Sequence, residues 1–180
     1  MKLVSFLPLH ATADDLPKVG VLAPDGVADV TEYVSALPPH RAGGISSSCL
    51  MLRLLSAGPA ALAALATRWA SAPSLPIDAV LLLAPIPRPG KIIAVGRNYA
   101  DHLEEMADAV QTAPRLIFKL PSSVIGPDSL PSIPKAVQQL DFEVELAVVI
   151  GTRVARVARE QALDYVAGYT ILNDLSAREF

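Results

Sequence analysis

From Leu140 to Ile150 the chain reads Leu-Asp-Phe-Glu-Val-Glu-Leu-Ala-Val-Val-Ile, an apolar run whose first half carries an acid at every second position. β-branched and aromatic residues dominate and Gly151 follows, so the run predicts a strand over 140–150. Side chains alternate along a strand, which puts Asp141, Glu143 and Glu145 on one face and Phe142, Val144 and Leu146 on the other. The two glutamates then lie roughly 7 Å apart along the strand. Like charges this close are unfavourable in a partly covered strand unless a cation lies between them. A hard divalent cation held by carboxylate oxygens is one answer. The other is an amphipathic strand whose acidic face meets water, and the segment by itself favours that second answer.

A later segment shifts the balance. Tyr165 to Arg178 reads Tyr-Val-Ala-Gly-Tyr-Thr-Ile-Leu-Asn-Asp-Leu-Ser-Ala-Arg, which predicts a strand from Tyr169 to Leu172 closing on Asn173-Asp174. Asp174 offers a third carboxylate at a strand end. The segments LDFEVELAVVIG and ALDYVAGYTILNDLSAR, in that order, resemble the fumarylacetoacetate hydrolase family. Upstream, KIIAVGRNYADHLEEM (91–106) resembles the opening of that family's catalytic domain, and LIFKLPSSVIGP (116–127) resembles the segment lining its substrate site. Four motifs in the family's order cover about half of the chain.

The resemblance implies roles residue by residue. Glu143, Glu145 and Asp174 are the expected ligands of Mg²⁺ or Mn²⁺, with Asp141 as a supporting acid on the glutamates' face. His102 and Glu105, three apart in a predicted helix, fall on one face; the resemblance makes them the pair that activates water, against the plainer alternative of an exposed acidic helix face with Asp101, Glu104 and Asp108. Arg97, Tyr99, Lys119 and Ser122 are the expected substrate contacts. Lys119 interrupts an apolar strand, where an unpaired ammonium is costly, although a solvent-facing position serves equally. Arg178 reads as a structural partner for a carboxylate. The implied reaction is hydrolysis of a carbon–carbon bond in a 2-oxo or 1,3-diketo acid of the acylpyruvate or fumarylpyruvate type. The metal stabilises the enolate leaving group and His102 deprotonates water. Decarboxylation of an oxaloacetate-type acid and isomerisation of a 2-hydroxy-dienedioate need the same groups, so the sequence leaves them open. A non-catalytic fragment serving as a metal-binding or interaction module is the rival reading from a different class.

Composition excludes other classes. At 52% hydrophobic residues and a mean hydropathy of +0.40 the chain is not a disordered one. A net charge of −3 provides no broad basic surface for nucleic acid. One cysteine, Cys49, precludes an internal disulfide and fits a reducing compartment, so a cytoplasmic location is expected. The first ten residues, broken by Pro8, are too short for a signal-peptide core. No apolar run approaches a membrane span.

The order of elements predicts a mainly β protein with some α. Residues 1–84 form a small α+β region: strands at 2–7 and 19–22, a hairpin signal at Asp25-Gly26, and helical spacing of Leu52, Leu54, Leu55, Leu62, Leu65 and Trp69, interrupted at Pro59. Proline-rich segments at 71–76 and 84–91 lead into residues 85–180, where strands are expected at 92–95, 116–120 and 140–150 and short helices at 99–106 and 159–166. The resemblance implies that this second part is the rolled, mostly antiparallel β fold of the family, incomplete at its C-terminal side because family members continue past the position of Phe180. It further implies a homodimer, and little turnover by these 180 residues alone.

Overall fold

The computed structural model describes residues 1–39, 41–42, 45–46, 48–99 and 113–180. The first half is organised by a five-stranded antiparallel sheet in the order β6-β3-β2-β1-β7. Its strands are β1 (Leu3–Pro8), β2 (Lys18–Ala23), β3 (Gly26–Asp29), β6 (Ser74–Leu75) and β7 (Val80–Leu83). Between β3 and β6 the chain forms α1 (Thr31–Ser35), a two-residue pair β4 (Arg41–Ala42) and β5 (Ile45–Ser46), then α2 (Leu50–Ser56) and α3 (Pro59–Ala66). Pro59 stands at the start of α3, where a missing N–H costs nothing, so it divides the helical stretch rather than kinking it. The hairpin joining β2 and β3 turns through Pro24-Asp25, with Ala23 paired to Gly26. Gly26 has a φ of 153°, and a Cβ there would collide with the Leu75 carbonyl of β6, so only glycine admits the edge strand.

Period-two alternation gives this sheet two apolar faces. One carries Val19, Val21 and Ala28, which close with Val34 of α1, Met51, Leu54 and Leu55 of α2 and Leu65 of α3 into the main core. The other carries Phe6, Val27 and Val80. Each fully buried Val, Leu, Met or Phe among them contributes about 1.5–3 kcal/mol. The buried hydroxyl of Ser5 donates to the Pro85 carbonyl at 2.7 Å, fixing the chain where it leaves the sheet for the second half.

The second half is built from antiparallel strand pairs. β8 (Ile92–Gly96) pairs with β9 (Arg115–Lys119), so that Ile92 faces Lys119 and Gly96 faces Arg115. β11 (Val144–Ile150) pairs with β12 (Val166–Asn173), and β10 (Leu140–Asp141) with β13 (Ser176–Ala177). A 3-10 segment, Arg159–Tyr165, precedes β12 where the sequence suggested a short helix. The strand expected over 140–150 is thus divided at Phe142-Glu143. The register nevertheless runs on: Val144 faces Asn173 and Asp141 faces Ser176, which sets Glu143 opposite Asp174.

The hairpin of β11 and β12 rests on the main core at its far end, where Val149 and Ala167 pack against the cluster around Leu55. Gly151 sits in the contact; a Cβ there would lie 2.6 Å from Ala167 Cβ and 3.6 Å from the Leu55 carbonyl. Val149 shares its face with Ala147, Glu145, Glu143 and Asp141, so anchoring Val149 turns the whole acidic face toward the protein. The opposite face is left in water: Phe142, Val144, Leu146, Val148 and Ile150 on one strand and Tyr169 and Ile171 on the other are all exposed. The expected alternation is present, with its polarity inverted relative to an ordinary solvent-facing amphipathic strand.

Candidate metal centre

The break between β10 and β11 shapes the acidic cluster. The Asp174 N–H donates to the Glu143 carbonyl at 2.8 Å, and the Glu143 N–H donates to Asn173 Oδ1 at 3.2 Å. The backbone of Glu143 is therefore held from the opposite strand on both sides. Directly opposed residues of an antiparallel ladder project side by side on one face. Glu143 and Asp174 consequently stand side by side, with Glu145 two residues along one way and Asp141 two residues along the other.

Opposed carboxylates repel, and two cations answer them. Lys119 Nζ, arriving from β9, lies 2.7 Å from Asp174 Oδ1 in a partly covered pair. Arg178, just past β13, places one guanidinium nitrogen 2.6 Å from Glu143 Oε1 and 2.9 Å from Asp141 Oδ2, while its Nε donates to the same Asp141 oxygen at 3.0 Å. The bonds from Arg178 are the main cause that holds the Asp141 carboxyl below its ordinary value, with the Phe142 N–H helping and desolvation acting the other way. The same bonds, Asp141 first and Glu143 second, push Arg178 up. Glu145 has no cationic partner among the described residues.

The donor set suits a hard divalent cation, since three carboxylates with oxygen-only ligation are what Mg²⁺ or Mn²⁺ takes. Among the described residues no three acidic, histidine or cysteine side chains are already grouped as a cage. Asp174 engages Lys119, and Glu143 and Asp141 engage Arg178.

The other expected site residues are distributed unevenly. Lys119 comes directly to the cluster. Ser122 lines a cavity of about 440 Å³ with Pro87, Arg88, Leu120, Pro121 and Val124, beginning one residue beyond Lys119. Arg97 and the half-exposed Tyr99 follow the other end of β8, about 13 Å along the strand from the residue that faces Lys119. Arg97 adopts a φ of 58°, a sharp left-handed turn out of the strand. His102 and Glu105 lie outside the described residues, as does most of the helix expected at 99–106. Sequence reasoning did not find Asn173 as the group that shapes the break, although an Asn-Asp pair at a strand end is a signal for side chain–backbone bonding.

Residues 91–180 match the family described as fumarylacetoacetate (FAA) hydrolase, C-terminal. The chain belongs to the fumarylacetoacetate hydrolase family, and its mostly antiparallel fold with few helices is that family's fold. Across its whole length it is 36% identical to the mitochondrial oxaloacetate tautomerase Fahd2a of Rattus norvegicus, covering 54% of that protein. Among solved structures, maleylpyruvate hydrolase from Sphingobium sp. SYK-6, in complex with manganese(II) and pyruvate, superposes with a TM-score of 0.76 at 28% identity over 100% of this chain and 60% of that one. Fumarylacetoacetate hydrolase from psychrophilic Exiguobacterium antarcticum does so with a TM-score of 0.71 at 35% identity, over 99% of this chain and 57% of that one. The chain thus spans somewhat more than half the length of these relatives. No helix among the described residues is long and apolar enough to cross a membrane.

Proposed function

We propose that this chain carries the metal-holding part of a divalent-metal-dependent enzyme that hydrolyses a carbon–carbon bond in a 2-oxo or 1,3-diketo acid of the acylpyruvate type. The observation that carries the reading is the ladder register that sets Glu143 opposite Asp174 with Glu145 on the same face. Those three carboxylates would hold Mg²⁺ or Mn²⁺, which when bound supplies Lewis-acid stabilisation of developing enolate charge. Asp141 steadies Arg178 beside them. Lys119 and Ser122, with Arg97 and Tyr99, supply the cationic and hydrogen-bonding groups that orient an anionic substrate. His102, oriented by Glu105, takes a proton from the attacking water. Low turnover by these 180 residues alone is part of the proposal, in keeping with their covering 54% of the tautomerase and 60% of the maleylpyruvate hydrolase they match.

A second reading on the same residues is tautomerisation or decarboxylation of an oxaloacetate-type acid, and the whole-length similarity to an oxaloacetate tautomerase favours it. In tautomerisation a proton is exchanged between the enol oxygen and the neighbouring carbon, and in decarboxylation the bond to the carboxylate breaks with loss of CO₂ and the enolate takes a proton at carbon, so neither needs an attacking water. A homodimer in a reducing compartment completes the proposal, with a cytoplasmic location as its simplest form.

The test is Mn²⁺ titration of the chain followed by the paramagnetic signal of free ion. Glu143→Gln, Glu145→Gln and Asp174→Asn should each weaken binding at least about tenfold, since each removes a charged oxygen ligand. Equal affinity in all four proteins would exclude these acids as the ligands. Assay of the competent enzyme against acylpyruvates and enol-oxaloacetate then separates the two reactions.

A further inference from the structure

We infer that Lys119 and Arg178 are resident counter-ions which a divalent cation must displace from the carboxylates, so that metal entry and the release of two basic side chains are one exchange. The inference rests on the metal reading above and adds what the basic residues do before the metal arrives.

The geometry is specific. Lys119 reaches Asp174 from a different hairpin, across 55 residues of sequence, and meets it at 2.7 Å. Arg178 bridges Glu143 and Asp141. Two of the three expected ligands are thus already engaged, each through a carboxylate oxygen. A carboxylate oxygen that coordinates a divalent ion cannot keep an ammonium or guanidinium in the same direction at full strength, because the cations repel. Without the basic groups, however, the directly opposed Glu143 and Asp174 would destabilise the ladder. Lys119 and Arg178 therefore hold the cluster together and oppose its loading. Glu145, with no cationic partner among the described residues, is the ligand open to first contact.

The exchange has a second consequence. A lysine and an arginine released from carboxylates a few ångströms from a bound metal are left facing whatever else occupies the site. An anionic ligand is then favoured by groups that were neutralised beforehand. Carboxylate binding should accordingly depend on metal more strongly than direct coordination alone requires.

The prediction concerns a sign, which distinguishes exchange from plain structural support. A supporting residue, once removed, loosens the cluster and weakens metal binding. A competing counter-ion, once removed, tightens it. Mn²⁺ affinity is measured by the paramagnetic signal of free ion for the wild-type chain, Lys119→Met, Lys119→Arg and Arg178→Gln, with Lys2→Gln as a control that removes one exposed positive charge elsewhere. Thermal midpoints are recorded with and without Mn²⁺. The exchange requires about tenfold tighter Mn²⁺ binding in Lys119→Met and in Arg178→Gln, wild-type affinity in Lys119→Arg, and little change in Lys2→Gln. It also requires that metal-free midpoints fall in the neutralised variants and that saturating Mn²⁺ restores most of the loss. Binding by the variants alone, with none by wild type, supports it equally. If wild type binds Mn²⁺ and both neutralised variants bind it no more tightly, the counter-ion role is overturned while the metal centre stands. If no protein in the series binds Mn²⁺, the metal centre itself fails and the exchange with it. Should Lys119→Met not fold, as judged by circular dichroism, Arg178→Gln alone decides.

Discussion

The inverted polarity of the β11–β12 hairpin makes a prediction about self-association. Leu146 and Ile171 face each other across the ladder and are 60% and 79% exposed. Covering either side chain completely would yield about 2–3 kcal/mol at the usual area coefficient. With Val144, Val148, Ile150, Tyr169 and Phe142 on the same face, the gross gain on covering the patch is of order 10–15 kcal/mol. Association itself costs about 4–15 kcal/mol. The net leaves room for a micromolar dimer of the 180-residue chain, with an open strand edge adding to the tendency. Substituting both positions, Leu146→Lys with Ile171→Lys, removes about 5 kcal/mol of the gross gain and sets like charges against each other in the pair. The dissociation constant should rise more than about a hundredfold. Because both side chains already lie in water, the thermal midpoint at high dilution should move little. Sedimentation velocity over a concentration series measures the first quantity and dilute circular dichroism melts the second. A wild-type chain that stays monomeric at the highest concentration, or a double variant that associates as wild type does, would falsify the reasoning.

Three further predictions follow from other parts of the molecule. Leu54→Ala, at a fully buried position in the main core, should cost about 2–5 kcal/mol in urea denaturation, and a cost below about 1 kcal/mol would show that the core collapses around the gap. Asp29 would be raised by burial, but bonds from Thr31 and Lys18 outweigh this and lower its carboxyl below the ordinary value; its stabilisation is therefore present above about pH 4 and lost as pH falls through the depressed value. Asp29→Asn should cost about 1 kcal/mol at pH 7, with the half-solvated partner discounted, and the difference should shrink as pH falls into the acid range; a difference that stays constant as pH falls would show that the carboxylate's charge is not the cause. In a competent hydrolase containing this chain, His102→Ala should lower kcat about 10²–10⁴-fold and leave Mn²⁺ affinity intact, and full carbon–carbon hydrolysis by that variant would remove the base role.

How much of this was legible beforehand depended on sequence range. Local patterns were readable: the hairpin at Asp25-Gly26, the helical spacing of Leu54, Leu55 and Leu65, and the sharing of one face by Asp141, Glu143 and Glu145. The facing of that side was not, because it is set four residues beyond Glu145, where Val149 on the same face packs against the main core. Nor was the break at Phe142-Glu143, since it arises when Asn173 and the Asp174 N–H engage Glu143 from thirty residues away. The edge strands β6 and β13, two residues each, carry no periodic signal at all. The Lys119–Asp174 pair joins two hairpins and has no local signature, so the sequence offered only the oddity of a lysine ending an apolar run.

The pinch at Gly151 gives the β11–β12 hairpin the mechanics of a lever. Its fulcrum is the contact of Val149 and Ala167 with the core around Leu55, and its arm runs from Gly151 eight residues to Glu143, about 26 Å. A tilt of about 5° at the fulcrum would swing the tip by about 2 Å, and a misplacement of about 1 Å is enough to cost a reaction about a hundredfold in rate. A methyl group at position 151 would touch nothing reactive, yet it would press on Ala167 Cβ in the partner strand at 2.6 Å, forcing β11 and β12 apart at their base while the Leu55 carbonyl stays at ordinary contact distance. The small contact at the base therefore bears on where the carboxylates stand, and a helix of the first half, α2, supplies part of it through Leu55.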